Sequence, residues 1–293
     1  MTAPHRAGAP RARATSLPES SFGVRASWWV LRLAVAACFV GHGAFGVIGK
    51  SDWLPFFQLV GIGPSAAWWL MLLIGGLDIA VGLSMLVAPL PATLLYAAAW
   101  TLWTAALRPL SGLSVWELVE RAGNYGVPIA LLVWTWDANS RRALFRRIER
   151  PSLMPRAIPT ANVLAMTTAL LLIGHGALAL EGKPLLDKHL MLLGLPPLAL
   201  AAQGWIEISL GLACALTRSR ALMLVALAWK IATESLFLVA GAWGWEFVER
   251  GGSYGAPLAF ALMVGTATMA AAAAGRPAAA ARAPLQDRGA ALS

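Results

Sequence analysis

Apolar and polar positions along the chain fall into long blocks. Eight apolar stretches, at about 27–47, 66–89, 91–110, 123–137, 159–180, 197–217, 221–241 and 254–275, are separated by short segments that hold most of the charged residues. A helix that crosses a bilayer needs roughly 20 mostly apolar residues. The pattern therefore predicts an all-α polytopic protein of eight spans, the fourth being the shortest. The flanks differ in character. Residues 1–26 are rich in Arg, Ala and Pro with no apolar run, residues 138–158 form a basic linker, and residues 276–293 are of low complexity. These predict two disordered cytoplasmic tails around two four-span units, 27–137 and 159–275. Val35-Ala36-Ala37-Cys38 has the shape of a lipoprotein box, but Arg32 interrupts the apolar run before it and the run continues past it. A plain first helix with a buried Cys38 is the expectation.

Composition supports the membrane assignment. Of 293 residues 58% are hydrophobic and 13% charged, and the mean hydropathy is +0.66. Soluble domains carry about 25% charged residues, so a water-soluble enzyme and a disordered chain are both excluded. The net charge of +9 would suggest nucleic acid in a soluble protein, but here the basic residues sit at the ends of apolar stretches. With the N-terminus inside, fifteen Lys and Arg fall on the cytoplasmic side and five outside. That bias predicts an inner-membrane protein with both termini cytoplasmic and lipid, not nucleic acid, as its surroundings. The two cysteines, Cys38 and Cys214, form no C-x-x-C pair.

The chain repeats itself. Gly41-His42-Gly43-Ala44 returns as Gly174-His175-Gly176-Ala177, and Lys50 as Lys183, at an offset of 133. Beyond that the offset is 129, matching Asp78 to Glu207 and Trp100 to Trp229. The block Trp116-Glu117-Leu118-Val119-Glu120-Arg121-Ala122-Gly123-Asn124-Tyr125-Gly126-Val127-Pro128 recurs from Trp245 to Pro257 with nine of thirteen positions identical. Shared hydrophobicity does not produce such a match in polar residues. Each unit contains an even number of predicted spans, so the two units are expected to be parallel.

The first unit reads H-G-x-x-G at His42, then Lys50, then an acid in a glycine-rich helix, G-x-x-D-x-x-x-G-L around Asp78. This resembles the DoxX-like superfamily of four-span membrane proteins, which includes the small subunit of thiosulfate:quinone oxidoreductase. The resemblance covers most of both units. It implies a four-helix bundle for each and a membrane component of a redox system that handles quinone or a small sulfur or metal species. It also implies a partner oxidoreductase subunit, with a homo-oligomer as the other possibility. Two fused units and the W-E-x-V-E-R block depart from the simple pattern.

Ionisable groups inside a span are costly and are functional candidates by default. The candidates for chemistry are His42, His175, Asp78, Glu207, Lys230 and Glu234. The two histidines fit an interhelical hydrogen bond, ligation of a metal or haem, or proton handling beside a quinone. Asp78 and Glu207 fall near mid-membrane and fit pairing with a Lys or His, or a proton relay. Lys230 and Glu234 stand at i and i+4 on one helix face, where the first unit has Thr101 and Ala105. They suggest either a polar centre with Glu207 or a self-neutralising pair. Arg108, matched by Phe237, is an asymmetry of the same kind, or else a side chain that snorkels outward. The W-E-x-V-E-R blocks suit short amphipathic helices at the outer interface, anchored by Trp116 and Trp245. Glu117, Glu120, Arg121 and Tyr125, with Glu246, Glu249, Arg250 and Tyr254, would form an outer cap over a cavity or plain end-packing, with the glutamates facing water. Three functions stay open: a redox component, a transporter of protons or a small solute, and a non-catalytic scaffold or assembly factor.

Overall fold

Backbone amides and carbonyls inside hydrocarbon must pair within the chain, and apolar runs of this length do so by winding into helices. The computed structural model describes residues 22–135, 141–148 and 156–274, and among these residues there is no strand. The helices are α1 (Phe22–Ile48), α2 (Leu54–Leu59), α3 (Pro64–Val87), α4 (Pro91–Leu110), α5 (Trp116–Val119) and α6 (Ala122–Thr135). They are followed by α7 (Ala157–Leu180), α8 (Pro184–Leu192), α9 (Leu198–Thr217), α10 (Arg220–Val239), α11 (Gly244–Glu249) and α12 (Gly251–Ala274). Helices α1, α3, α7, α9 and α10 are long and apolar enough to cross a membrane. By length and composition these five mark the chain as a membrane protein.

Local sequence sets the helix ends. Prolines open α3, α4 and α8, where a missing N–H leaves no bond unmade. The Ser219 hydroxyl caps α10 by accepting from the Leu222 amide, and Arg218 in the left-handed region closes α9 just before it. Helix α1 starts earlier than expected. Val24 is buried in the core, so residues 22–26 belong to the helix rather than to a tail. Residues 1–21 and the expected tail over 276–293 lie outside the described residues. Within the basic linker, Arg141–Phe145 form a 3-10 turn, and Arg147 donates to the carbonyl of Val87 at 3.0 Å. That docks the linker on the α3–α4 corner.

Packing places α1 and α7 at the centre. Their most apolar windows are 67% and 72% buried, whereas those of α3, α9 and α10 are about one-third buried. The outer helices keep large apolar side chains exposed, including Trp69, Leu73 and Trp205, as a lipid-facing surface requires. Inside, one core joins α1, α6, α7 and α12 through residues such as Leu31, Leu131, Leu172 and Phe260. Trp28 meets Trp134 edge-on, with ring centroids 6.0 Å apart.

Two pairs of glycines bring backbones into contact. Gly123 at the start of α6 touches Gly252 at the start of α12, and a Cβ on either would overlap the other's backbone. Gly41 of α1 lies on the backbone of Glu249, and Gly174 of α7 lies on that of Glu120. These are matching positions of the sequence repeat. Close approach through small residues is the usual way helices associate where no hydrophobic gain is available.

Candidate functional site

Each histidine noted in the sequence meets the acid of its own unit. His42 Nδ1 on α1 is 2.8 Å from Asp78 Oδ2 on α3. His175 Nδ1 on α7 is 2.6 Å from Glu207 Oε2 on α9. Both acids are fully buried, so the bond to imidazole offsets part of the cost of placing a carboxylate there. Small residues let the helices come this close, since Gly43 packs on the carbonyl of Gly75 and Gly176 on that of Gly204.

The two dyads differ in what surrounds them. Glu207 Oε1 accepts from Trp229 Nε1 at 2.8 Å, so both oxygens of the longer acid are occupied. Trp100 is the counterpart of Trp229, yet its Nε1 is buried with no partner, and so is Asp78 Oδ1. One methylene fewer in Asp78 leaves that bond unmade. Exposure follows the same division, at 24% for the His42 side chain against 9% for His175.

The exposure of His42 is to a cavity of about 200 Å³ between α2, α3 and α4. Its walls are mostly aromatic, with Trp53, Phe56, Phe57, Trp100 and Trp103 among them, and Thr104 and Arg108 supply polar groups. His42 stacks on Trp53 at 4.4 Å between centroids and 24° between planes. Of the two readings open for Arg108, outward snorkelling is not the one seen. The side chain turns in to Glu117 at 3.5 Å and lies over the Phe56 ring. The corresponding corner of the second unit is closed by a cluster of Leu178, Leu186, Leu190 and Leu200.

The outer cap is also turned inward, contrary to the expectation that its glutamates face water. Lys50 reaches across to Glu246 at 2.6 Å, and Lys183 reaches across to Glu117 at 2.9 Å and Glu120 at 3.2 Å. Arg121 binds Glu117 and Glu120, while Arg250 binds Glu246 at 2.9 Å and Glu234 at 2.7 Å. The glutamates turn in because each unit's lysine finds its partner in the other unit's block. Burial opposes ionisation of Glu120, but Lys183, Arg121, His175 and Arg250 together outweigh it and hold the carboxyl well below its ordinary range. Glu246 is lowered likewise, with Arg250 and Lys50 overcoming burial. Tyr125 and Tyr254 donate to the carbonyls of Leu118 and Phe247 at 3.4 and 3.3 Å, which ties α5 to α6 and α11 to α12. Trp116 packs against the Leu178 cluster, whereas Trp245 stays at the surface.

Lys230 and Glu234 form a buried ion pair at 2.7 Å. They line a small charged chamber of about 20 Å³ together with His175, Lys183, Glu249 and Arg250. Glu207 lies near Lys230 without a bond between them, so the centre expected from three residues is a pair beside a separate dyad. Among the described residues, no three His, Cys, Asp or Glu side chains are grouped as ligands of a metal ion.

Several participants were not picked out from the sequence. Trp100 and Trp229 were visible as a matched pair, and asking which polar atoms recur would have found them. Trp53 carries no such signal. His189 has none either: it is buried edge-on to Phe237 at 4.5 Å, and burial pushes its imidazole below its ordinary range despite Glu234. No family model matches the chain, and neither does any curated protein or solved structure.

Proposed function

We propose that this chain is a DoxX-like component of a redox system in the inner membrane. In this reading eight spans form two parallel four-helix units with both termini cytoplasmic, and quinone is bound in the first unit. The observation that carries it is the His42–Asp78 dyad on the wall of a 200 Å³ aromatic cavity. Planar rings fit a slot lined by Trp53, Phe56 and Trp103, and aromatic stacking favours them. With Nδ1 committed to Asp78, Nε2 is the nitrogen left for a ligand oxygen. Asp78 fixes the ring and stabilises the imidazolium when a proton arrives, the usual division of labour in a histidine–carboxylate pair. A quinol gives up two protons and two electrons. His42 handles protons, and a partner oxidoreductase subunit takes the electrons.

The test is a titration of detergent-purified protein with a short-chain quinone, read by tryptophan fluorescence and by the oxidised-minus-reduced ultraviolet spectrum. Saturable quenching that His42→Ala and Trp53→Ala weaken is the expected result, with His175→Ala leaving it unchanged. Unsaturable quenching, or equal loss in the His42 and His175 variants, overturns the assignment.

A further inference from the structure

The aromatic cavity belongs to the first unit, whereas the charged chamber lies between the units, lined by Glu120, Arg121 and Asn124 of the first and by Lys230, Glu249 and Arg250 among others of the second. A third, small pocket of about 10 Å³ is lined by Cys38, His42, Trp100, Thr101, Thr104 and Asn124. Three of these, His42, Trp100 and Thr104, also line the aromatic cavity. Asn124 also lines the charged chamber. The three spaces therefore follow one another, from the chamber past Asn124 to His42. Volumes of about 10 and 20 Å³ are those at which one or two waters fit, provided polar partners are present.

Polar partners are present along the whole line. Thr104 donates to the carbonyl of Thr101, and the Thr101 hydroxyl, which donates to the carbonyl of Ala97 at 2.7 Å, has the carbonyl of Asn124 as a longer second contact at 3.2 Å. The chamber end is unusual in its charge pairing. Lys183, Lys230, Arg121 and Arg250 all hold carboxylates, and so do Glu120 and Glu234 hold bases. Glu249 is different. Only 8% exposed, it has an Oε2 with no hydrogen-bond partner and no ion pair among the described residues. Its counterpart Glu120 is held by Lys183, whereas Lys50, the lysine matched to Lys183, goes to Glu246 instead.

We propose that His42 exchanges protons with the aqueous phase through this chamber, with Asn124 orienting the connecting water and Glu249 as the carboxylate that takes up and releases the proton. The proposal rests on the reading of His42 as the group that handles ligand protons. It gives the second unit a task in the first unit's reaction. The balance is a proton only: a carboxylate accepts it from water on one side and returns it to water on the other. Asn124 carries no proton itself and acts as a positioning residue. The charged neighbours facing Glu249 across the chamber are Arg250, Arg121, Lys183 and Lys230, with Glu120, Glu234 and His175.

The chain holds only four histidines, so full-length protein labelled with ¹⁵N-histidine gives few ring signals, each assignable by substitution. Water-to-imidazole proton exchange is measured by solid-state NMR in liposomes, with and without a short-chain quinone. Wild-type His42 is expected to keep exchanging when quinone fills the aromatic cavity. In Asn124→Leu that exchange slows by roughly a hundredfold, the lower range for losing a positioned proton-transfer path, while His175, which lines the chamber itself, is unaffected. Asn124→Ser, the residue at the matching position 253, retains it, and Glu249→Gln slows it. Exchange at His42 that survives both Asn124→Leu and Thr104→Val, or that stops in wild type once quinone binds, overturns the route. Should Asn124→Leu lose the His175 signal through misfolding, Thr104→Val decides alone. Failure of quinone to shift the His42 signal defeats the binding assignment instead, and the exchange rates without quinone still judge the route.

Discussion

Exchanging the two acids between the dyads inverts their stability. Glu207 satisfies both His175 and Trp229, while Asp78 reaches His42 alone and leaves Trp100 Nε1 and its own Oδ1 unpaired. Asp78→Glu supplies the missing methylene. Hydrogen bonds between membrane helices are worth about 0.6 to 2 kcal/mol, and an unmet buried polar group costs about 1–3 kcal/mol. The substitution is thus expected to stabilise by about 1–3 kcal/mol. The reciprocal Glu207→Asp should lose a similar amount, because it strands Trp229. At about 2–4 °C per kcal/mol for a chain of this order of size, both shifts are measurable as changes in the thermal midpoint in detergent. A midpoint that drops in Asp78→Glu, or a Glu207→Asp variant as stable as wild type, would refute the argument that one methylene separates the two sites.

Three further predictions concern the scaffold. Gly252→Ala places a Cβ inside the backbone of Gly123 and should destabilise by about 3 kcal/mol or more through overpacking. Gly76→Ala in α3, where a Cβ meets nothing, should gain up to about 1 kcal/mol of helix propensity; thermal melts of the two variants compare them directly. Lys230→Met removes one of the two cations that hold the buried Glu234, leaving Arg250 at 2.7 Å, and should lower the thermal midpoint by the equivalent of about 1–3 kcal/mol. The lowered carboxyls of Glu120 and Glu246 set a pH dependence. Their folded values lie below the unfolded value of about 4.3, so their contribution is complete above that value and is lost as pH falls through the folded values. Acid unfolding of the wild type should therefore be steeper below about pH 4.3 than that of a Glu120→Gln/Glu246→Gln variant; equal slopes would count against the network.

Much of the scaffold was legible because hydrophobic length alone specifies it. The apolar stretches fall on helices, of which α1, α3, α7, α9 and α10 are long and apolar enough to cross a membrane while α6 has 14 residues; α1 begins early because Val24 adds burial before the apolar run. The sequence left Asp78 to pair with a Lys or His of a neighbouring span or to relay protons, and the partner it finds is His42. What the sequence did not disclose was direction. Glu117 and Glu246 look like solvent-facing residues of an amphipathic turn, and only the lysine arriving from the other unit turns them inward. Nor could it show that Trp53 stacks on His42 while Leu186 and Leu190 close the second corner. Those outcomes depend on how much volume several distant side chains leave between helices, which no single position encodes.

The lysine–glutamate exchange between the units has a consequence for assembly. Lys50 holds Glu246, and Lys183 holds Glu117, its counterpart. A unit on its own would keep its block's arginine but lack the lysine that completes the neutralisation, and it could recover that charge from a second copy of itself. Two identical copies would be obliged to keep identical sites. Joined in one chain, the halves are free to diverge, and the open cavity beside His42 and the buried charges beside His175 are the two directions they have taken.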